Sequence, residues 1–143
     1  MMSGIMQVTQ TEQPIVSFTT EHGEDLAGAA YLMQQFYDNG FEVTPINLAQ
    51  EELSEDCRIL VIYDPVYDFI GAEAEDASKN EIEKLDKLLD NYAAILVFES
   101  PENVAKLTNL NEFLEEWGIS YVADTTIRDM DQAMSDDGYS IIA

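Results

Sequence analysis

The sequence is poor in the residues that carry most enzymatic chemistry: it holds one histidine, one cysteine and only six basic side chains. A lone cysteine, Cys57, excludes an intramolecular disulfide and is not half of any metal motif. It flanks the apolar run Arg58 to Tyr63, where a small buried thiol is the expected role. Six lysines and arginines against 29 acids leave a formal net charge of −23. Such a surface repels phosphate backbones and anionic lipid, which argues against nucleic acid and membrane surfaces as partners. The acidic runs themselves read as a solvated face. No stretch approaches the roughly 20 consecutive apolar residues that span a bilayer. Met1 to Gln13 has neither a basic n-region nor an apolar h-region, so it is not a signal peptide.

What is present is apolar material for one core. With 143 residues and 46% hydrophobic content, the chain is long enough for one domain and too short for two ordinary ones. Residues 1–13 read as a polar leader or added tail, and 14–143 as a single α/β domain. Tyr139 to Ala143 is a strand-like run that stops without a terminating turn, as in a fragment of a longer protein.

Five strands are expected, at Ile15 to Thr19, Glu42 to Ile46, Ile59 to Tyr63, Ala94 to Phe98 and, more weakly, Ser120 to Ala123. Continuous apolar runs of this length suit strands covered on both faces, as in a parallel sheet. Between them lie helical patterns. Leu26, Ala29, Ala30, Met33, Phe36 and Tyr37 share one stripe, closed by Gly40. Ser78 and Glu81 fit a capping box before the stripe Ile82, Leu85, Leu88, Leu89 and Tyr92. Asn109 with Glu112 offers a similar start for Leu110, Phe113, Leu114 and Trp117, and Gly118 is placed to end that helix. Strand–helix alternation implies right-handed crossovers and an open, mostly parallel sheet in three layers, ordered 2-1-3-4-5. Asp124 to Gly138 reads as irregular or weakly helical, with a faint Ile127, Met130, Met134 spacing.

Ligands of such sheets sit at the carboxyl ends of the strands. The candidate ligand contacts there are Thr20, Glu21, His22, Asp64, Tyr67 and Glu99. Asp64 ends the third strand as a receiver-domain phosphoacceptor would, yet strand one is followed by a single Glu21 rather than an acidic pair. No lysine follows the fifth strand candidate either. A flavodoxin-type phosphate loop is opposed by Glu21 and Glu24, and no GxGxxG or P-loop is present. A nucleophile elbow needs a glycine-flanked Ser or Cys, whereas Ser100 lies between Glu99 and Pro101 and Cys57 precedes its strand. His22 with Glu21 and Glu24 is a thin metal set, because stable sites recruit ligands from separate elements. The aspartates from Asp124 to Asp137 lack EF-hand spacing. His22 is therefore expected to be a structural turn residue, with Gly23 supplying the sharp turn and the acids favouring the positive end of the following helix. No catalytic residue, metal or cofactor is expected.

The order of short motifs resembles a known family. A Phe-Thr-Thr-Glu-His-Gly-Glu turn spans Phe18 to Glu24. Gly40-Phe-Glu-Val follows, then Asp56-Cys-Arg-Ile-Leu-Val-Ile, Asp68, the Ile95-Leu-Val-Phe strand and Asn109-Leu-Asn-Glu-Phe-Leu-Glu-Glu-Trp-Gly-Ile. Together, over about Pro14 to Asp124, they resemble the GldG-like auxiliary components of bacterial ABC transport systems. The resemblance implies a three-layer fold similar to class I glutamine amidotransferases and flavodoxin-like domains, without a catalytic triad. It implies a soluble, extracytoplasmic, non-catalytic interaction domain of a membrane-anchored bacterial protein. Its partners would be an ABC transporter permease or other envelope subunits, with carbohydrate as a possible ligand. Glu21 departs from the glycine common in the family, which weakens any shared anion-binding role.

Overall fold

The computed structural model describes residues 13–122. Over these residues the chain is an α/β domain with one four-stranded, all-parallel sheet and three α-helices. The strands are β1 (Ile15–Thr19), β2 (Glu42–Ile46), β3 (Cys57–Tyr63) and β4 (Ala94–Phe98), in the order β2-β1-β3-β4. β1 lies inside the sheet, paired parallel to β2 on one side and to β3 on the other. The expected parallel sheet with β1 interior is thus observed.

The apolar runs form these strands because both faces find cover. On one face Val16, Phe18 and Val61 pack with α1 (Ala30–Asp38), through Met33 and Phe36. On the other, Leu60 and Ile62 meet Leu85 and Leu88 of α2 (Glu81–Asp90) and Leu110 and Phe113 of α3 (Thr108–Glu116). Alternate residues of β3 thus serve opposite cores, as the two-residue strand period requires.

Three local expectations are corrected. The stripe beginning at Leu26 becomes α-helix only from Ala30; residues 26–29 form turns, with Asp25 accepting from the Gly28 amide at 2.9 Å. Ser78 does not cap α2 but sits in a 3₁₀ turn, where Asp76 accepts from its amide; Asn80 is the cap and accepts from the Glu83 amide at 3.0 Å. Glu81, expected to reach back as a capping glutamate, is fully buried instead. The start of α3 is capped from a distant loop: Asp68 accepts from the Asn109 amide at 2.7 Å and the Leu110 amide at 3.2 Å. Asn109 itself lies in the first turn, its side-chain amide donating to Phe69 O and Glu73.

The fifth strand is not formed over Ser120 to Val122; Ala123 lies outside the described residues, as do residues 1–12 of the leader 1–13, the acidic span Asp124 to Gly138 and Tyr139 to Ala143. Ile119 to Val122 are exposed and leave the outer edge of β4 unpaired among the described residues. No described helix is long and apolar enough to cross a membrane.

Candidate functional site

The turn after β1 is held by a buried charged cluster. Glu21 and Gly23 both adopt positive φ, 75° and 78°. A side chain at Gly23 would bring its Cβ within 3.0 Å of Val66 Cβ, so the backbone conformation and the close loop both select glycine. Between them His22 is 6% exposed, and each of its polar groups is engaged. Its amide donates to Glu24 Oε2 at 2.8 Å, and its carbonyl accepts from the Val66 and Tyr67 amides at 2.7 and 2.9 Å. Nδ1 lies 3.1 Å from Glu24 Oε1 and Nε2 lies 3.0 Å from Glu81 Oε2. The Phe69 ring stacks on the imidazole, centroids 4.0 Å apart and planes 16° apart.

Two carboxylates facing the two ring nitrogens favour the doubly protonated imidazolium, in which both nitrogens donate. Burial alone pushes the His22 pKa down. The hydrogen bonds and charges of Glu24 and Glu81 outweigh it and raise the value to about 9. For Glu24, burial pushes the other way, but the His22 hydrogen bond wins and holds its carboxyl below the usual range. Glu81 Oε2 also accepts from the Ile70 amide at 2.8 Å, while its Oε1 is buried with no partner among the described residues. The cluster thus fastens the β1 turn to the loop after β3 and to the start of α2.

The remaining candidate residues do not converge on one cavity with His22. Thr20 closes the end of the sheet: its amide and Oγ1 both donate to Ile46 O, at 2.9 and 3.1 Å. Glu21 is exposed, and Tyr67 is 67% exposed although its amide is tied to the His22 turn. Asp64 has a positive φ of 49° and faces the turn after β4, accepting from the Ser100 amide at 3.2 Å and Asn103 Nδ2 at 3.3 Å. The Ser100 hydrogen bond, with that of Asn103, holds its carboxyl below the usual range against the opposing effect of burial. Glu99 opens to the opposite side, where burial pushes its pKa up and its Oε1 has no partner among the described residues.

Glu99 lines a cleft of about 490 Å³ beside β4 with Leu89, Ile95, Val97, Phe113, Leu114, Trp117 and Ile119. None of the other five candidates lines it. Among the described residues no group of three His, Cys, Asp or Glu side chains is arranged to hold a metal ion.

Sequence reasoning missed Glu81 and Phe69 as partners of His22. The available signal for Glu81 was its place four residues before Leu85 and seven before Leu88, on the buried face of α2. It also missed Lys84, which is 6% exposed; its ammonium donates to Leu48 O and Glu51 O and pairs with Glu52 at 3.3 Å, fastening the loop after β2.

The fold and cluster define an α/β domain with an all-parallel sheet and a buried, internally paired charged turn at its carboxyl edge. Comparisons with protein-family models, with curated proteins and with solved structures find no match.

Proposed function

We propose that this chain is a non-catalytic interaction domain of an ABC-transporter-associated auxiliary protein, working on the extracytoplasmic side of a bacterial membrane. The transporter setting, the membrane-anchored parent and the kinship with amidotransferase-like and flavodoxin-like domains rest on the motif resemblance. The observation that carries the interaction reading is the open flank of β4. Among the described residues an unpaired strand edge borders an apolar cleft in which Trp117 is 51% and Ile119 59% exposed. An unpaired edge offers main-chain hydrogen bonds, and an adjoining apolar cleft offers side-chain pockets, the combination used when an extended partner segment adds to a sheet. The non-catalytic reading is supported by His22, whose ring nitrogens both face carboxylates and leave none to activate a nucleophile.

The partner is then an exposed segment of a permease or another envelope subunit. The test is co-expression with the permease and ATPase encoded beside the gene, followed by affinity purification from detergent-solubilised membranes. The expected result is co-purification that is lost when Trp117→Ser and Ile119→Ser are combined. Equal recovery with that variant, or no recovery with either, overturns the reading.

A carbohydrate-binding module at the strand-end rim is the second reading, favoured by the exposed Tyr67, whose ring lies against Gly23 of the turn that also carries the exposed Glu21. Aromatic faces suit the apolar faces of sugars, and calorimetry against envelope oligosaccharides would detect binding that Tyr67→Ala removes.

A further inference from the structure

The cleft beside β4 is apolar except at one end. Ile95 and Val97 of β4, and Glu99 just after it, line the cleft at alternate positions. Leu96 and Phe98 fall on the other side of the sheet, where they are 37% and 43% exposed. Among the described residues Glu99 is the one charged side chain lining the cleft, and no lysine or arginine faces it there. Its Oε1 is shielded from solvent without a hydrogen-bond partner among the described residues. Asn111 borders a smaller adjoining cavity with it, but the Asn111 Nδ2 donates to Val104 O at 2.7 Å. A shielded carboxyl oxygen without a donor carries its desolvation cost until a donor reaches it.

We propose that the segment taken up at β4 is an extended apolar run ending in a lysine or arginine, whose cation pairs with Glu99. This rests on the interaction reading above and names the chemistry of its partner. A strand added at the open edge would set its residues beside those of β4 in turn, about 4.8 Å away. Positions beside Ile95 and Val97 on the cleft side, and beside Leu96 and Phe98 on the other, call for apolar side chains. The next position on the cleft side lies beside Glu99 and calls for a cation. That position is the carboxyl end of a segment running parallel to β4, or the amino end of an antiparallel one. A second copy is the poorer occupant, because two chains of net charge −23 repel one another and only six basic side chains are on hand in each.

Trp117 is the only tryptophan and lines the cleft, so its fluorescence reports occupancy. The test titrates the full chain with blocked peptides of alternating valine and threonine carrying a lysine at one end or the other, and with their glutamine analogues. Salt is held at about 0.15 M, where exposed charges farther apart than about 8 Å are screened. The expected result is that one lysine peptide binds about tenfold more tightly than its glutamine analogue. The advantage should vanish in Glu99→Gln and persist in Glu102→Gln, an exposed carboxylate in the turn that follows. Equal affinity for lysine and glutamine peptides overturns the proposal, and so does an advantage that survives in Glu99→Gln. In either case, peptide binding that calorimetry finds abolished by Trp117→Ser with Ile119→Ser leaves the interaction reading standing. Failure of every peptide to bind, the result for a flank covered by a second copy or by another part of this chain, also overturns the proposal. The interaction reading is then decided by co-purification alone.

Discussion

β1 and β4 are both five-residue apolar strands in one parallel sheet, yet four residues of β1 are buried and none of β4 is. The difference is position. Among the described residues β1 has a strand on each side and both faces buried, whereas β4 has one strand neighbour and helices on one face. The contrast is one of apolar cover rather than of polar partners. At the end of β1 every polar group of His22 is engaged, but Glu81 Oε1 in the same cluster is buried without a partner among the described residues, as is Glu99 Oε1 beside β4. Buried hydrogen bonds are concentrated around the β1 turn, and exposed apolar surface around β4.

The largest effect should come from breaking the cluster at its most buried member. Glu81→Ala removes the acceptor of His22 Nε2 and of the Ile70 amide in a fully buried position. Deleting one partner of a buried charged pair leaves the other uncompensated, and the expected loss is about 4 kcal/mol. Urea unfolding followed by circular dichroism measures it. A loss near that of an exposed α2 carboxylate such as Glu83→Ala would show that the cluster contributes little.

The pH dependence of the same cluster comes next. The folded His22 pKa of about 9 lies above its ordinary 6.5. The stabilisation is therefore fully present below pH 6.5 and is lost as pH rises through about 9. Glu24 has the opposite sign: its lowered pKa gives stability present above about 4.5 and lost as pH falls through its depressed value. Stability should peak near pH 5 to 6.5 and decline by about 2–3 kcal/mol towards pH 9, after allowance for screening at the rim. Urea midpoints across that range give the slope, which His22→Gln should flatten. A flat alkaline limb in the unaltered chain would mean that the imidazole is neutral.

These two regions also divide what the sequence made legible. The strands and the sheet order could be read because β-period apolar runs and helical stripes are local signals. His22 could be read as a turn residue because Gly23 follows it. Its clamp could not, since Glu81 lies 59 residues away and its local context, Ser78 three residues before it, imitates a capping box. The cap of α3 was hidden for the same reason, because Asp68 reaches Asn109 across 41 residues. The expected fifth strand failed on the opposite ground. Ser120 to Val122 have strand-like composition, but pairing with an edge is a tertiary event that composition does not decide. Among the candidate contacts, position at a strand end was legible and direction was not. Tyr67 faces solvent, His22 faces the interior and Glu99 faces the β4 cleft.

A smaller effect should follow at Gly23. Valine there meets both a positive φ of 78° and Val66 Cβ at 3.0 Å, a contact that backbone or loop must relieve. A β-branched residue in the left-handed region is an outlier, and the expected cost is about 2 kcal/mol. Gly23→Ala should cost less, because it keeps the strain of φ and omits the branched methyls. Equal costs for the two variants would assign the penalty to φ alone.

The smallest effect has the opposite sign and lies on the open side of the molecule. Among the described residues three non-glycine residues hold positive φ: Glu21, Asp64 and Tyr92. Asp64 offsets its strain through the Ser100 amide and Asn103, and Glu21 introduces the turn that buries His22. Tyr92 has no such compensation in its ring, which is 97% exposed. It follows the C-cap of α2 at φ 60°, where helices commonly end on a left-handed glycine. Its amide still donates to Leu89 O at 3.0 Å, a bond that glycine retains. Tyr92→Gly should therefore stabilise the chain by about 1 kcal/mol, the steric relief exceeding the added entropy of the unfolded backbone. Tyr92→Ala keeps the strained Cβ and should gain nothing. Thermal unfolding of the two variants side by side separates the effect of φ from loss of the ring. A gain shared by both would mean that the exposed aromatic, and not the backbone, was the destabilising element.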